Sequence, residues 1–179
     1  MNVLQTARLS LERITTDDAE FILALLNEPS FVQFIGDRGV RTIDDACRYI
    51  REGPVASYAR YGFGLYLVRL RDGGAPIGIC GLLKRETLDD VDIGFALSPP
   101  FWGKGYARES AAAVMALGWE AFGLSRLVAI VSSENRASIA VLEALGLRFE
   151  EVRRLAPDDK EIQLFGIHAT TASIRSDLG

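Results

Sequence analysis

Two glycines spaced i, i+2 and flanked by cations, Gly103-Lys104-Gly105-Tyr106-Ala107-Arg108, are the residues of this chain best suited to holding an anion. They follow the strand-like run Asp92-Ile93-Gly94-Phe95-Ala96-Leu97 and the stop Ser98-Pro99-Pro100, where two prolines fix φ and remove backbone donors. A small-residue helix then opens. A strand, a glycine turn and a helix N-terminus aim successive N–H groups and the positive end of the dipole at one point. Lys104 and Arg108 add formal charge beside it. The pattern is neither a P-loop nor the dinucleotide fingerprint, which need other spacings. The same residues also suit a turn that merely packs closely. A second polar stretch, Ser132-Ser133-Glu134-Asn135-Arg136-Ala137-Ser138, opens another helix, with Asn135 as N-cap and Ser138 three residues on. Read locally, these two are a cap and a solvated hydroxyl.

Positioning those residues takes an alternating α/β chain. Residues 8–14 alternate as a half-buried strand, and Thr15 or Thr16 caps a helix with Asp17, Asp18 and Glu20 in its first turn. Residues 27–30 stop it, and Phe31 to Gly36 reads as apolar and irregular. Thr42 caps a second helix, interrupted at Gly53-Pro54, with a less regular helical piece reaching Arg60. Residues 63–70 and 76–83 form a hairpin through Arg71-Asp72-Gly73-Gly74, with residues 92–97 as the next strand. A helix from about Lys104 to Phe122 carries Ala107, Ala111, Val114 and Gly118 as a narrow stripe, fit for close packing on a sheet. Residues 126–131 read as a buried strand, and one helix between two strands makes them parallel. The helix from Asn135 closes at Gly146, and residues 148–155 and 161–168 form a last hairpin. The tail beyond about residue 171 is expected to fray.

Composition narrows the function. A length of 179 residues with 49% hydrophobic content fits one domain spanning 1–179 with a sizeable core. The net charge of −4 without a Lys/Arg block argues against nucleic acid, so an anionic ligand would be held by local geometry. Cys47 and Cys80 lack metal-like spacing and there is one histidine, so no metal site is expected and the thiols are read as reduced. His168, near the C-terminus, reads as structural. Neither a signal peptide nor a membrane span is visible, which makes the expected location cytoplasmic.

The stretch around the glycine turn resembles motif A of the GNAT superfamily of N-acetyltransferases, in its RimJ/RimL-like branch. Gly105 and Ala107 match the last two fixed positions of that pyrophosphate loop. Trp102 stands where other branches carry Gln or Arg, and Asp92-Ile93-Gly94-Phe95 resembles the branch's acidic-Ile-Gly-aromatic strand. Asn135-x-x-Ser138 followed by Leu142 to Leu147 is similar to motif B. The resemblance implies an α/β fold of about seven mostly antiparallel strands, splayed at a central parallel pair, with about four helices. It implies acetyl-CoA as co-substrate: pyrophosphate on residues 103–108, pantetheine along the free edge of Phe95, Ala96 and Leu97, Asn135 bonded to the coenzyme arm and Ser138 near its sulfur. A backbone N–H near Phe95 to Leu97 would face the thioester oxygen. Many members carry a tyrosine general acid where this chain has Leu142, which leaves Ser138 for that role. Asp92 is the candidate base, relayed by water, with Glu86 or water alone as the alternatives. The acceptor would be a primary amine: a protein N-terminus, an amino acid or a small molecule. The competing expectation is an acyl-CoA sensor of the same fold without turnover. The oligomeric state is open, a homodimer included.

Overall fold

The computed structural model describes residues 2–170; the expected fraying beyond residue 171 concerns residues outside that range. The strands are β1 (Asn2–Gln5), β2 (Leu9–Arg13), β3 (Leu65–Leu70), β4 (Pro76–Leu83), β5 (Val91–Leu97), β6 (Arg126–Val131), β7 (Arg148–Arg153) and β8 (Ile162–His168). They form one sheet in the order β1-β2-β3-β4-β5-β6-β8-β7, antiparallel throughout except for the central β5–β6 pair. Among the described residues there are thus eight strands rather than seven. The extra one is β1, whose four residues are too few to show a period and which exists because β2 offers it a partner.

The helices are α1 (Ala19–Leu26), α2 (Pro29–Phe34), α3 (Ile43–Ile50), α4 (Ala56–Tyr61), α5 (Tyr106–Phe122) and α6 (Arg136–Ala144). Thr15 and Thr42 both close capping boxes, the first over a short 3₁₀ turn that leads into α1. Helix α2 replaces the irregular stretch expected after Asn27: Pro29, which stops α1, sits in the first turn of α2, where a missing N–H costs nothing. Gly53-Pro54 does not break the second helix. It is absorbed in a π turn, Arg51–Val55, that joins α3 to α4, so the described residues hold five helical bodies rather than four.

The sheet is covered on both faces. On one, Ala111, Val114 and Met115 of α5 pack with Cys80, Leu82, Ile93, Leu127 and Ala129. The small-residue stripe permits this approach, because Gly118 sets a helix backbone against Leu82 and Leu127. On the other, Ile22, Leu25 and Leu26 of α1 join Ala46 and Ile50 of α3 over Leu67 and Ile79. A smaller cluster of Leu88, Val128 and Leu164 covers the far side of that face. Tyr58 of α4 links helix to sheet: its hydroxyl donates to the Leu65 carbonyl and accepts from the Ile14 N–H at 3.0 Å, and its ring stacks on Tyr66. A side chain at Gly81 would collide with the Gly64 carbonyl, which explains a glycine in the middle of a strand.

Candidate active site

Strands β5 and β6 pair only at their start, Val91 with Leu127 and Asp92 with Val128. The other edge of β5 pairs with β4 along its length, from Leu83–Asp92 to Gly78–Leu97. The β6-side edge of β5 therefore lacks a strand partner from Ile93 to Leu97, about 16 Å of chain at the usual rise. At the closed end Arg126 holds the two strands together, pairing with Asp90 at 2.9 Å and with Glu150 of β7 at 2.6 Å. His168 lies 3.4 Å from the same guanidinium and belongs to that structural cluster.

At the open end both strands run into helix N-termini, so the topology brings the two polar stretches to one mouth. Gly103 and Gly105 adopt φ of +70° and +80°, a region that side chains disfavour, and Gly105 is the N-cap of α5. Its own backbone shape, without a capping side chain, aims the first N–H groups of α5 outward. The Trp102 indole N–H donates to the Leu97 carbonyl at 2.7 Å and ties the turn to the end of β5. Lys104 and Arg108 are exposed there, with the Lys104 ammonium 5.8 Å from the Phe101 ring centroid. Across the mouth, the Asn135 side-chain oxygen caps α6 by accepting from the Ser138 N–H at 3.2 Å. The cap uses neither the Asn135 amide N–H groups nor the Ser138 hydroxyl. Leu142 is 2% exposed and lies in the core, so α6 presents no side chain to the mouth from that position.

Asp92 sits at the closed end on the α1–α3 face of the sheet, 1% exposed. Its Oδ2 accepts from Arg85 Nε at 2.6 Å, while its buried Oδ1 has no hydrogen-bond partner. Burial pushes this carboxyl up to about 6, against the opposing pull of the Arg85 charge and a smaller one from the Ile130 N–H. Arg85 in turn lines a cleft of about 310 Å³ between α3, α4 and the end of β4, with Tyr49, Glu52, Arg60, Lys84 and Glu86. Burial raises the Tyr49 phenol, and the charges of Arg38 and Arg85 oppose that rise. Lys84 fixes the β4–β5 connection by donating to the carbonyls of Leu88, at 3.1 Å, and Asp89. No hydrogen bond joins Asp92 to Ser138: one is at the closed end, the other at the mouth.

A glycine turn opening a helix N-terminus and a buried carboxyl with one unpartnered oxygen thus stand at the two ends of one splayed strand. The acetyltransferase (GNAT) domain model matches residues 8–148. This chain is a member of the GNAT family. It is an acetyl-CoA-dependent N-acetyltransferase, and GNAT proteins transfer acetyl groups to amines. The uncharacterized N-acetyltransferase YoaA of Bacillus subtilis is 31% identical over 85% of this chain and 86% of its own. The crystal structure of an acetyltransferase from Agrobacterium tumefaciens shares 26% identity, with a TM-score of 0.79 over 94% of this chain and 95% of that one. RimL, a ribosomal-protein alpha-N-acetyltransferase solved in complex with coenzyme A, has the same fold at 18% identity, with a TM-score of 0.80 over 94% and 98%. Both ends of β5 are also held by residues that carry no local signal. Arg85 is seven residues from Asp92 across a hairpin, and Arg8 meets Glu109 at 2.7 Å from 101 residues away.

Proposed function

We propose that the enzyme acetylates a primary amine by direct attack, with donor and acceptor bound together, and that Asp92 takes the proton of the attacking amine through an intervening water. The observation that carries this is the Oδ1 atom of Asp92, buried without a partner where the splayed strands meet. A carboxylate left so is costly unless something is to bond to it. Its affinity for protons, raised to about 6, suits a base working near neutral pH. Arg85 holds the other oxygen, which leaves Oδ1 free to accept. The acceptor class stays broad: a protein N-terminus, an amino acid or a small amine. An α-amine, with a pKa of about 8 against about 10.4 for lysine, asks less of this base.

The chain fits acetyl-CoA at three places. The N–H groups at the start of α5, with Gly103, Lys104, Gly105, Tyr106, Ala107 and Arg108, suit the pyrophosphate. The unpaired edge through Phe95, Ala96 and Leu97 offers backbone groups to an extended amide chain, as an added strand would use them. The Asn135 amide and the Ser138 hydroxyl line the other side of the mouth, where Ser138 can return a proton to the departing sulfur. When bound, acetyl-CoA supplies the acetyl group as a thioester. A backbone N–H between Phe95 and Leu97 would stabilise charge on the acyl oxygen. Free thiols at Cys47 and Cys80 fit a reducing compartment, in keeping with a cytoplasmic enzyme.

Thermal unfolding with acetyl-CoA tests the donor half. At 100 times its Kd the ligand should add about 2.7 kcal/mol, or roughly 5–10 °C for a chain of this size. Gly105→Glu puts a carboxylate and a strained φ at the anion turn and should abolish that shift. An equal shift in the variant would remove the pyrophosphate from this turn.

A further inference from the structure

The anion turn does not stand by itself. Arg8, in the connection between β1 and β2, reaches across the sheet edge and makes four contacts with it. Its Nε donates to Glu109 Oε2 at 2.7 Å, its Nη2 lies 2.7 Å from the same oxygen, and its Nη1 donates to the Lys104 carbonyl at 2.9 Å. The guanidinium also lies over the Tyr106 ring, 4.4 Å from its centroid. Glu109 Oε1 meanwhile accepts from the Thr6 hydroxyl at 2.6 Å and from the Arg8 backbone N–H at 2.9 Å. The platform is itself braced, because Arg71 donates to the Thr6 carbonyl at 2.9 Å and to that of Ala7. A planar guanidinium held by one carboxylate oxygen, a carbonyl and a ring face is fixed in orientation as well as distance.

Two consequences follow for an anion at this turn. Glu109 stands in the first turn of α5, where an unpaired carboxylate would repel a phosphate; here its charge is taken up by Arg8 and Thr6. The carbonyl of Lys104 lies between the two positive-φ glycines, and holding it inward keeps the neighbouring N–H groups turned outward. We propose that Arg8 is a positioning residue for the donor's pyrophosphate. It acts through Glu109, Lys104 and Tyr106 to hold residues 103–106 in the anion-accepting shape before the donor arrives. This rests on the pyrophosphate lying at the α5 N-terminus, as proposed above.

The test measures dissociation constants for coenzyme A and for pantetheine, which lacks the phosphates, in the wild type, Arg8→Ala and Arg8→Lys. Amide hydrogen exchange of residues 103–108 in the free protein is followed alongside. Loss of preorganisation should weaken coenzyme A about tenfold in Arg8→Ala, leave pantetheine within about twofold, and speed exchange at the turn. Arg8→Lys keeps the charge but cannot span three partners, so it should not restore affinity. Full restoration by lysine would make the role one of net charge and overturn the positioning proposal. An equal loss for both ligands would also overturn it, as the mark of general loosening. If Arg8→Ala binds coenzyme A as tightly as wild type, the clamp alone fails. If the wild type itself binds coenzyme A no better than pantetheine, the turn holds no pyrophosphate, and the proposal falls together with the reading it rests on.

Discussion

Asp92 and Arg85 form a pair whose balance is visible in pH. Under the proposed mechanism, with Asp92 near 6 and an α-amine acceptor near 8, both would have to be deprotonated for attack. We expect log kcat/KM to rise with a slope of about two below pH 6 and about one from there to the amine's own pKa. Asp92→Asn should lower the rate and remove the break near 6. Arg85→Gln, which takes away the opposing positive charge, should move that break to higher pH. A profile with the break unmoved in Asp92→Asn would assign the base elsewhere, with Glu86 in the adjoining cleft next in line. The same pair bears on stability. The folded-state pKa of Asp92 lies above its unfolded value of about 3.9, so the native state binds the extra proton between the two. Stability should therefore fall by about 2–3 kcal/mol as pH rises from about 4 to about 6, then level off. Denaturant unfolding across that range would show the slope, and Asp92→Asn should flatten it.

At the scale of elements, the splay exists because β6 is held to β5 at one end only. Arg126 ties the start of β6 to Asp90 and β7, while the far ends diverge into two helices. Each helix N-terminus is finished differently. Gly105 leaves the α5 N-terminus without a side-chain cap, whereas a side-chain cap at Asn135 closes part of α6. The cap is worth testing separately, since the same residue is proposed to touch the donor. Asn135→Ala should cost about 1 kcal/mol in urea unfolding. It should also raise the Kd of coenzyme A, which loss of the cap alone does not require. Asn135→Ser, which can cap, should restore stability without restoring affinity.

For the whole molecule, the sheet carries a large cluster under α5 and a second under α1 and α3, and Tyr58 of α4 packs in the first. Its hydroxyl serves two backbone groups, the buried N–H of Ile14 just past β2 and the part-buried carbonyl of Leu65 in β3. Tyr58→Phe leaves the ring stacked on Tyr66 but strands both groups, so we expect a loss of about 1–3 kcal/mol in urea unfolding. An unchanged midpoint would mean that both groups find other partners.

The sequence by itself determined what is local or repeats over a few residues. The alternation of β2, a threonine cap at Thr15 or Thr16 and another at Thr42, the glycine turn before α5 and the Asn135 cap each follow from short-range sterics and hydrogen bonding. The parallel β5–β6 pair was also legible, because a single intervening helix permits little else. Helix α2 and strand β1 were not, since four to six residues are too few to carry a period and their partners decide their state. Only the tertiary structure decided which charges meet. Arg85 reaches Asp92 through a hairpin register, and Arg8 reaches Glu109 because the β1–β2 turn comes to lie beside the start of α5. Burial decided the rest. An aspartate at the start of a strand reads as a surface carboxylate until the fold buries it, and desolvation then raises its pKa to about 6.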